Sequence, residues 1–355
     1  MTDDRLKRVR FYWVLAGVVL TVFCLAPPGA AMDDAQFRQC MAEELLQADD
    51  HQTVGDLKKL CRNKLATSAD SDLHKLSPPT VESAESGPES LMARRRRLEA
   101  VAEDNPFAIT PHKRNYFLLA SYNTTPNEEP FEIAYPGEDV TLDHVEIKYQ
   151  ISLKFPVFKD TFIKGSDLYA AYTNRSFWQA YNDLSAPFRD INHEPEIWLG
   201  FDADWELFGF ANRRNDFGFN HQSNGRGGTL SRSWNRLYAN FLFEKDNLFF
   251  NLKPWYRIPE DEETDDNPDI ESYLGYGELT GGGQWHNHTV SFMLRNNLRV
   301  ADNRGAFQVD WSFPFRYSKY LRWYFQYFTG YGECLLDYNA SSDSIGVGVQ
   351  LSDWF

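Results

Sequence analysis

The stretch His144–Phe155, which reads HVEIKYQISLKF, alternates strictly between polar and apolar side chains. Successive side chains of a β-strand point to opposite faces, so this pattern predicts a strand with one wholly polar and one wholly apolar face. The alternation lasts 12 residues, about twice the average strand length in soluble proteins. Strands of this length favour a transmembrane β-barrel over a soluble sandwich, although a sandwich also alternates.

The same alternation recurs in the stretches Phe307–Arg316, Leu321–Tyr327 and Ile345–Ser352. We predict an all-β fold, a twelve-stranded antiparallel transmembrane β-barrel with a small N-terminal helical extension. The strands are expected to start near Asn115, Asp143, Asp167, Ile191, Arg213, Arg232, Asp246, Glu271, His286, Gly305, Tyr320 and Ser344.

Connections between the predicted strands alternate between short and long, as outer-membrane barrels require. Tight turns are expected on the periplasmic side, near Lys245-Asp246, Gln284-Trp285 and Ser318-Lys319. Longer connections are expected outside, at Trp178–Asp190, Asn224–Ser231, Ile258–Ile270 and Gly332–Asp343. The terminal Phe355 falls in the apolar phase of the last strand, as is common in barrels that an assembly machinery inserts.

Composition and charge exclude two classes of protein. The 355 residues include 36 Lys and Arg against 51 Asp and Glu, a formal net charge of −15. This charge argues against nucleic acid as a partner, because a basic surface supplies most nucleic-acid affinity. Aromatic residues make up 15% of the chain, yet the mean hydropathy is only −0.53. A bundle of membrane-spanning helices is therefore excluded.

The N-terminal third predicts export and a small extension. Residues 1–31 have a basic start, an apolar run over Phe11–Leu25 and small residues before a cleavage point after Ala31, as in a secretory signal peptide. In an oxidising compartment Cys40 and Cys61 are expected to pair and to staple a helical hairpin over residues 32–67. Cys334 is then a lone packing residue. Residues 68–102 are predicted to form a linker and a short helix, and residues 103–355 the barrel.

Three residues break the barrel pattern at neighbouring strand ends. His221 and Ser223 share the phase of Phe217 and Phe219, and Asn235 shares that of Leu237, so all three face lipid. Polar groups on a lipid face are costly. A position at the depth of the lipid headgroups would explain any one of these polar side chains. Because all three converge on one place, a functional site is favoured.

Ser, His and Asn are the residue types of a nucleophile, a general base and the group that orients the base. A histidine accepts a hydroxyl proton near neutral pH, and an amide can hold its ring in one tautomer. The chain has no G-x-S-x-G nucleophile elbow, which argues against an α/β-hydrolase. The ester that a site on the lipid-facing outer wall can reach is that of a glycerophospholipid.

The residues around these positions resemble the outer membrane phospholipase A family. The resemblance rests on Asn220–Arg226 (NHQSNGR) and Ser231–Tyr238 (SRSWNRLY), and it extends over roughly Asp104 to Phe355. Further stretches recur in family order: Asp104–Phe107, Tyr172-Thr173, Trp178-Gln179, Pro187–Arg189, Lys253–Tyr256, Asp265–Ile270 and Gly330–Glu333.

The resemblance implies roles for individual residues. It implies Ser223 as nucleophile, His221 as general base and Asn235 as its orienter, in agreement with the strand phase. It further implies that the Gly225 amide helps to form the oxyanion hole. It also implies a Ca²⁺ ion held by the Arg226 carbonyl, the Ser231 side chain and the Ser185 carbonyl of a second subunit.

Two departures from the family pattern bear on these implied sites. Asn174 stands where better-known members have a Gln at the subunit contact, which would weaken a polar bridge across the dimer. Gly227-Gly228 replaces a stretch that carries an Asp in some members. This second difference argues against an additional calcium site that would include Asp266.

The resulting expectation is a calcium-dependent outer-membrane phospholipase A1/A2 that also hydrolyses lysophospholipids and is activated by homodimerisation. Its active site would face the outer leaflet, with the N-terminal extension in the periplasm. A non-enzymatic transport barrel is the alternative, and a structural barrel without turnover is a third possibility. The predicted lumen carries both signs of charge, which favours a closed lumen over an open channel: Glu146, Lys148, Lys154, Arg236, Asp310 and Arg316.

Overall fold

The computed structural model describes Lys59, Cys61 and residues 89–103, 109–160, 163–183 and 186–352. The chain divides into two compact units, residues 1–86 and 87–355. In the first unit Cys61 is buried and disulfide-bonded. The predicted signal peptide, Cys40 and the calcium ligand Ser185 lie outside the described residues, and so does Phe355. The pairing of Cys40 with Cys61 therefore stays a prediction.

The second unit consists mostly of strands. Its helices are α1 (Leu91–Glu103), α2 (Glu129–Ala134), a short 3-10 turn (Gly228–Leu230) and α3 (Glu271–Leu274). Its strands are β1 (Thr110–Pro111), β2 (Asn115–Asn123), β3 (Val145–Lys159), β4 (Ser166–Trp178), β5 (Phe188–Leu207), β6 (Phe210–Ser223), β7 (Ser233–Lys245), β8 (Leu248–Ile258), β9 (Gly277–Trp285), β10 (His288–Asn296), β11 (Gly305–Pro314), β12 (Arg322–Tyr331) and β13 (Ser341–Ser352). Among the described residues, no helix is long and apolar enough to cross a membrane.

Twelve strands, β2 to β13, close into an antiparallel barrel. Each pairs with the next along the chain, and β13 pairs with β2 to complete the ring. The two-residue β1 only adds to the edge of β3. The predicted fold class is thus confirmed, and a closed barrel leaves no unpaired strand edge, as a membrane requires.

One predicted strand start is wrong. The segment that begins at Glu271 forms the helix α3, and β9 starts only at Gly277. The physical reason is burial: Ile270 and Leu274, four residues apart, both pack into the hydrophobic cluster under the loops. Apolar residues at this spacing lie on one side of a helical turn, whereas a strand would separate them along its length.

The connections separate the two ends of the barrel. At the tight-turn end, two-residue turns join β5 to β6, β7 to β8 and β9 to β10, at residues 208–209, 246–247 and 286–287. The turn predicted at Ser318-Lys319 lies within the seven-residue connection 315–321. The opposite end carries the long connections 124–144, 179–187, 224–232, 259–276, 297–304 and 332–340. We call it the long-loop end.

The polar face of each long strand lies inside the barrel and the apolar face outside. In β3, Lys148 and Ser152 are buried while Ile151 and Phe155 are exposed. The predicted phase of this strand is therefore confirmed. An exposed apolar wall is what a lipid-facing barrel presents.

Ion pairs fill much of the lumen. Lys148 Nζ lies 2.8 Å from Glu333 Oε1, and Arg114 Nη1 lies 2.7 Å from Asp310 Oδ2. The space left between such groups is a cavity of about 260 Å³. The expected lumen position of Arg316 is wrong, because β11 ends at Pro314 and Arg316 is exposed in the following connection.

Helix α1 docks at the tight-turn end. Leu91 and Met92 are buried against Leu242 and Phe249, and the Met92 amide donates to Glu244 Oε2 at 3.0 Å. These three partners belong to the inward phase of β7 and β8, so the start of α1 covers the lumen from this end. The short helix predicted through Ala102 is confirmed, with boundaries at Leu91 and Glu103.

The docking of α1 also depends on Glu99. Its Oε1 lies 2.7 Å from Arg95 Nε and 2.8 Å from Lys154 Nζ on β3. Burial alone would raise the pKa of Glu99, but the positive charges of Arg95 and Lys154 outweigh it and lower that pKa to about 2. The lowered pKa means that this stabilisation is present above the ordinary carboxyl pKa and is lost as pH falls towards 2.

We predict that Glu99→Gln loosens α1. Loss of hydrogen bonds to a charged group costs about 2 kcal/mol, so trypsin should cut at Arg94–Arg97 at least about tenfold faster. Cleavage can be followed by mass spectrometry of the folded barrel in detergent. Glu89→Gln is the matched control, because the Glu89–Arg97 pair is exposed and such pairs contribute little. Equal cleavage rates for both variants would contradict the prediction.

Candidate active site

The strand register places the three predicted residues on one patch of the outer wall. His221 on β6 lies opposite Asn235 on β7, and Ser223 lies opposite Ser233. On its other side Ser223 faces His193 of β5. All of these side chains are half-buried, while the alternate residues Gln222 and Trp234 are buried in the barrel interior. The predicted outward phase is confirmed.

A hydrogen bond joins two of the three residues. His221 Nδ1 lies 2.9 Å from Asn235 Oδ1. An amide oxygen can only accept, so the ring nitrogen facing it carries the proton. The other ring nitrogen, Nε2, then has a free lone pair, which is the state that a general base requires.

Ser223 lies two residues beyond His221 on the same face of β6. Same-face neighbours on a strand are roughly 6.5 to 7 Å apart, a separation that a serine side chain and an imidazole ring together can bridge. In the part of the chain that the structure describes, Ser223 Oγ makes no side-chain hydrogen bond. Its hydroxyl is therefore not committed to another partner.

Asn224 connects the two ends of the loop that follows Ser223. This buried side chain accepts from the Arg232 amide at 3.0 Å and donates to the Leu230 carbonyl at 2.8 Å. Gly225 follows with a φ of +63°, in the region that favours glycine. Among the described residues no hydrogen bond engages the Gly225 amide. That N–H, two residues after Ser223 in the chain, has no other hydrogen-bond acceptor there.

Arg226 anchors the same loop to the barrel. Its Nη2 donates to the carbonyls of Phe188 and Arg189 at 2.7 and 2.8 Å. The Arg189 guanidinium in turn pairs with Glu146 at 2.8 Å and with Asp337. The loop thus rests on a buried ion cluster, which limits its movement relative to Ser223.

Cys334 packs into that cluster, with Arg189 Nη1 3.4 Å from its sulfur. It is a free cysteine and buried, as predicted for a packing residue. Burial raises the pKa of the Cys334 thiol. A protonated, enclosed thiol is a poor nucleophile.

The loops beside the patch bring together oxygen atoms that suit calcium. Ser231 Oγ lies 2.5 Å from Asp266 Oδ2, across two different loops. In the described ranges no group of three or more His, Cys, Asp and Glu side chains could hold a metal ion. Ca²⁺ accepts hydroxyl, carboxylate and backbone carbonyl oxygens, so the adjacent Ser231 and Asp266 side chains are of a type that could hold such an ion.

Two residues of the patch were missed in the sequence. His193 Nδ1 lies 2.5 Å from the Tyr172 hydroxyl, and its ring reaches the neighbourhood of Gly225. Glu260 Oε1 accepts from Asn235 Nδ2 at 3.1 Å. The alternation of β5 places His193 outward, so strand pairing could have revealed it. Nothing in the sequence around Glu260 indicates its partner, because the residue belongs to a loop.

The fold and the patch together define a class: a membrane-spanning β-barrel whose outer wall carries the residue types of a serine hydrolase. Comparison with known proteins narrows this class. Residues 92–351 match the model of the family described as "Phospholipase A1". The chain belongs to this family, that of the outer membrane phospholipases A, carboxylic ester hydrolases with a β-barrel fold in the bacterial outer membrane.

Individual proteins similar to this chain belong to the same family. Phospholipase A1 of Klebsiella pneumoniae is 40% identical over 253 residues, which cover 71% of this chain and 85% of the relative. The structure of outer membrane phospholipase A from Escherichia coli matches with a TM-score of 0.65 at 37% identity, over 71% of this chain and 95% of that one. A Salmonella typhi outer membrane phospholipase dimer with bound calcium matches with a TM-score of 0.65 at 38% identity, over 71% and 94% of the two chains.

Proposed function

We propose that this chain is a calcium-dependent phospholipase that hydrolyses the acyl esters of glycerophospholipids and lysophospholipids at either acyl position. The observation that carries the proposal is the 2.9 Å contact between His221 and Asn235. On the outward face of β6 and β7, this pair is the neighbour of the pair formed by Ser223 and Ser233. Membership of the family supports the same reaction. Substrate from the surrounding leaflet meets this wall without leaving the membrane.

The proposed reaction proceeds in two halves. His221 Nε2 takes the proton of Ser223 as its oxygen attacks the ester carbonyl, and Asn235 holds the ring in place. The Gly225 amide donates to the oxygen that becomes negative. The C–O bond to glycerol then breaks, and His221 returns the proton to the leaving alcohol. A water molecule then attacks the acyl carbon while His221 takes one of its protons, the bond between the acyl carbon and the Ser223 oxygen breaks, and His221 returns the proton to Ser223 as the fatty acid leaves.

Calcium would be held by the Arg226 carbonyl and the Ser231 side chain, with the carbonyl of Ser185 from a second subunit as a further ligand. The Asp266 carboxylate, in contact with Ser231, adds a fitting negative charge. Bound there, a divalent cation supplies electrostatic stabilisation to negative charge developing near Gly225. The calcium-bound dimer of the Salmonella typhi relative supports this assignment.

The active state is proposed to be a homodimer formed by two apolar walls. Asn174 on β4 lies opposite His193 and two strands from Ser223, so a partner on this wall would approach the site directly. The exposed Tyr172 lies beside it. The long-loop end would face the outer leaflet, with the N-terminal extension in the periplasm.

The proposed function is tested by fatty-acid release from mixed micelles of detergent and phospholipid. We expect release from both diacyl lipids and lysophospholipids, together with a shift from monomer to dimer in sedimentation when Ca²⁺ and a substrate analogue are added. The transport alternative predicts conductance steps in planar bilayers instead. Conductance without fatty-acid release, from a barrel shown to be folded, would overturn the proposal.

A further inference from the structure

The hydrogen-bond chain of the site continues beyond Asn235. On one side its Oδ1 meets His221 Nδ1 at 2.9 Å, and on the other its Nδ2 donates to Glu260 Oε1 at 3.1 Å. Glu260 follows β8, whose Ile258 lies opposite Asn235 in the strand register. Imidazole, amide and carboxylate are thus connected in that order, over three separate segments of the chain.

The carboxylate determines which way the amide points. An asparagine amide has an oxygen on one side and a nitrogen on the other, and nothing in its own shape selects between the two orientations. An ionised carboxylate can only accept hydrogen bonds. The Asn235 nitrogen must therefore face Glu260, and its oxygen must face His221.

The orientation of the amide in turn selects the tautomer of His221. With the oxygen towards the ring, Nδ1 carries the proton and Nε2 is free to accept one. With the amide reversed, the N–H would need a lone pair on Nδ1, and the proton of the neutral ring would reside on Nε2. The reversed arrangement cannot take the proton of Ser223.

We propose that Glu260 is a positioning residue of the hydrolytic site, which fixes the Asn235 amide and thereby the tautomer in which His221 acts as a base. This inference rests on the proposed function, because it assigns Glu260 a role through the Ser223, His221 and Asn235 machinery. It touches neither the substrate nor the reacting atoms.

The neighbouring acidic residues do not share this position. Glu260 begins an acidic stretch that extends to Asp266 and is interrupted by Thr264. Asp265 pairs with Arg257 at 2.7 Å, and Asp266 contacts Ser231. In the described part of this loop, the side chains of Glu262 and Glu263 are exposed and form no hydrogen bond with His221 or Asn235. Glu262 therefore provides a matched control for loss of charge alone.

A double-mutant cycle tests the route by which Glu260 acts. Loss of one orienting hydrogen bond should lower kcat by about tenfold in Glu260→Ala, with little change in KM. Glu260→Gln keeps an acceptor oxygen and should recover part of the rate, while Glu262→Ala should match the unmodified enzyme. In an Asn235→Ala background, Glu260→Ala should cause no further loss. An undiminished loss in that background would overturn the proposal.

The His221 tautomer gives a readout that does not depend on turnover. Ring-¹⁵N-labelled histidine in the full-length protein in micelles, with His221 assigned from a His221→Asn variant, should report a proton on Nδ1. Glu260→Ala should add the form protonated on Nε2, and Glu262→Ala should not. An unchanged tautomer in Glu260→Ala would refute the inference even if activity fell. Activity that survives Ser223→Ala would refute the proposed function and leave the tautomer result standing.

Discussion

Replacing Ser223 by alanine is expected to abolish fatty-acid release, by about four orders of magnitude or more in kcat. The hydroxyl is the proposed attacking group, and its removal takes away the oxygen that forms the acyl intermediate. Strand β6 contains no other serine that could take the place of Ser223 beside His221. Initial rates in mixed micelles at saturating Ca²⁺ provide the measurement.

Ser233→Ala is the matched control for this substitution. Ser233 lies directly opposite Ser223 on β7, faces outward and is also half-buried. Each variant removes one serine hydroxyl, and the two serines are neighbours on the same outer wall. A rate close to that of the unmodified enzyme is expected for Ser233→Ala. Residual release by Ser223→Ala at a comparable rate would rule out Ser223 as the nucleophile.

Removing calcium is expected to have the second largest effect. Chelation should lower kcat on the order of 10² to 10³-fold, the cost of losing one source of oxyanion stabilisation. Activity should return with Ca²⁺ and poorly with Mg²⁺, because Mg²⁺ requires a small octahedral site and releases its water reluctantly. A titration of rate against free Ca²⁺ measures the requirement.

Variants of the oxygen cluster locate that requirement. Ser231→Ala and Asp266→Asn should raise the Ca²⁺ concentration needed for half-maximal activity, because each removes an oxygen ligand or a negative charge from one spot. Asp261→Asn removes a charge from the same loop, away from Ser231, and should have little effect. If chelation leaves the rate of a folded enzyme unchanged, the calcium assignment is wrong.

The barrel was predictable because its evidence is local. Alternation in β3 depends only on successive residues, and it correctly assigned Lys148 to the interior and Ile151 to the wall. The same alternation predicts that His221, Ser223 and Asn235 face outward, without any information on strand pairing. The catalytic roles of Ser223, His221, Asn235 and Gly225 and those of the calcium ligands stay predictions, and Ser185 lies outside the described residues.

Two predictions failed at the ends of strands. The alternation predicts a strand from Glu271, but Ile270 and Leu274 pack beneath the loops beside Leu335 and Tyr338, and a helical turn buries both. Arg316 had the right alternation for the lumen, yet β11 had already ended. Local periodicity does not indicate where an element stops when a distant contact decides it.

The order of residues is enough to predict the class of fold, the face on which most strand residues lie and the three polar residues on the lipid side. A period of two is set by backbone geometry, so it is already present in the order of residues. Which loops contact that wall is visible only in the folded barrel. Glu260 against Asn235 and Asp266 against Ser231 are contacts between segments 25 and 35 residues apart in the chain. Such contacts follow from barrel closure and loop packing, which no local pattern encodes.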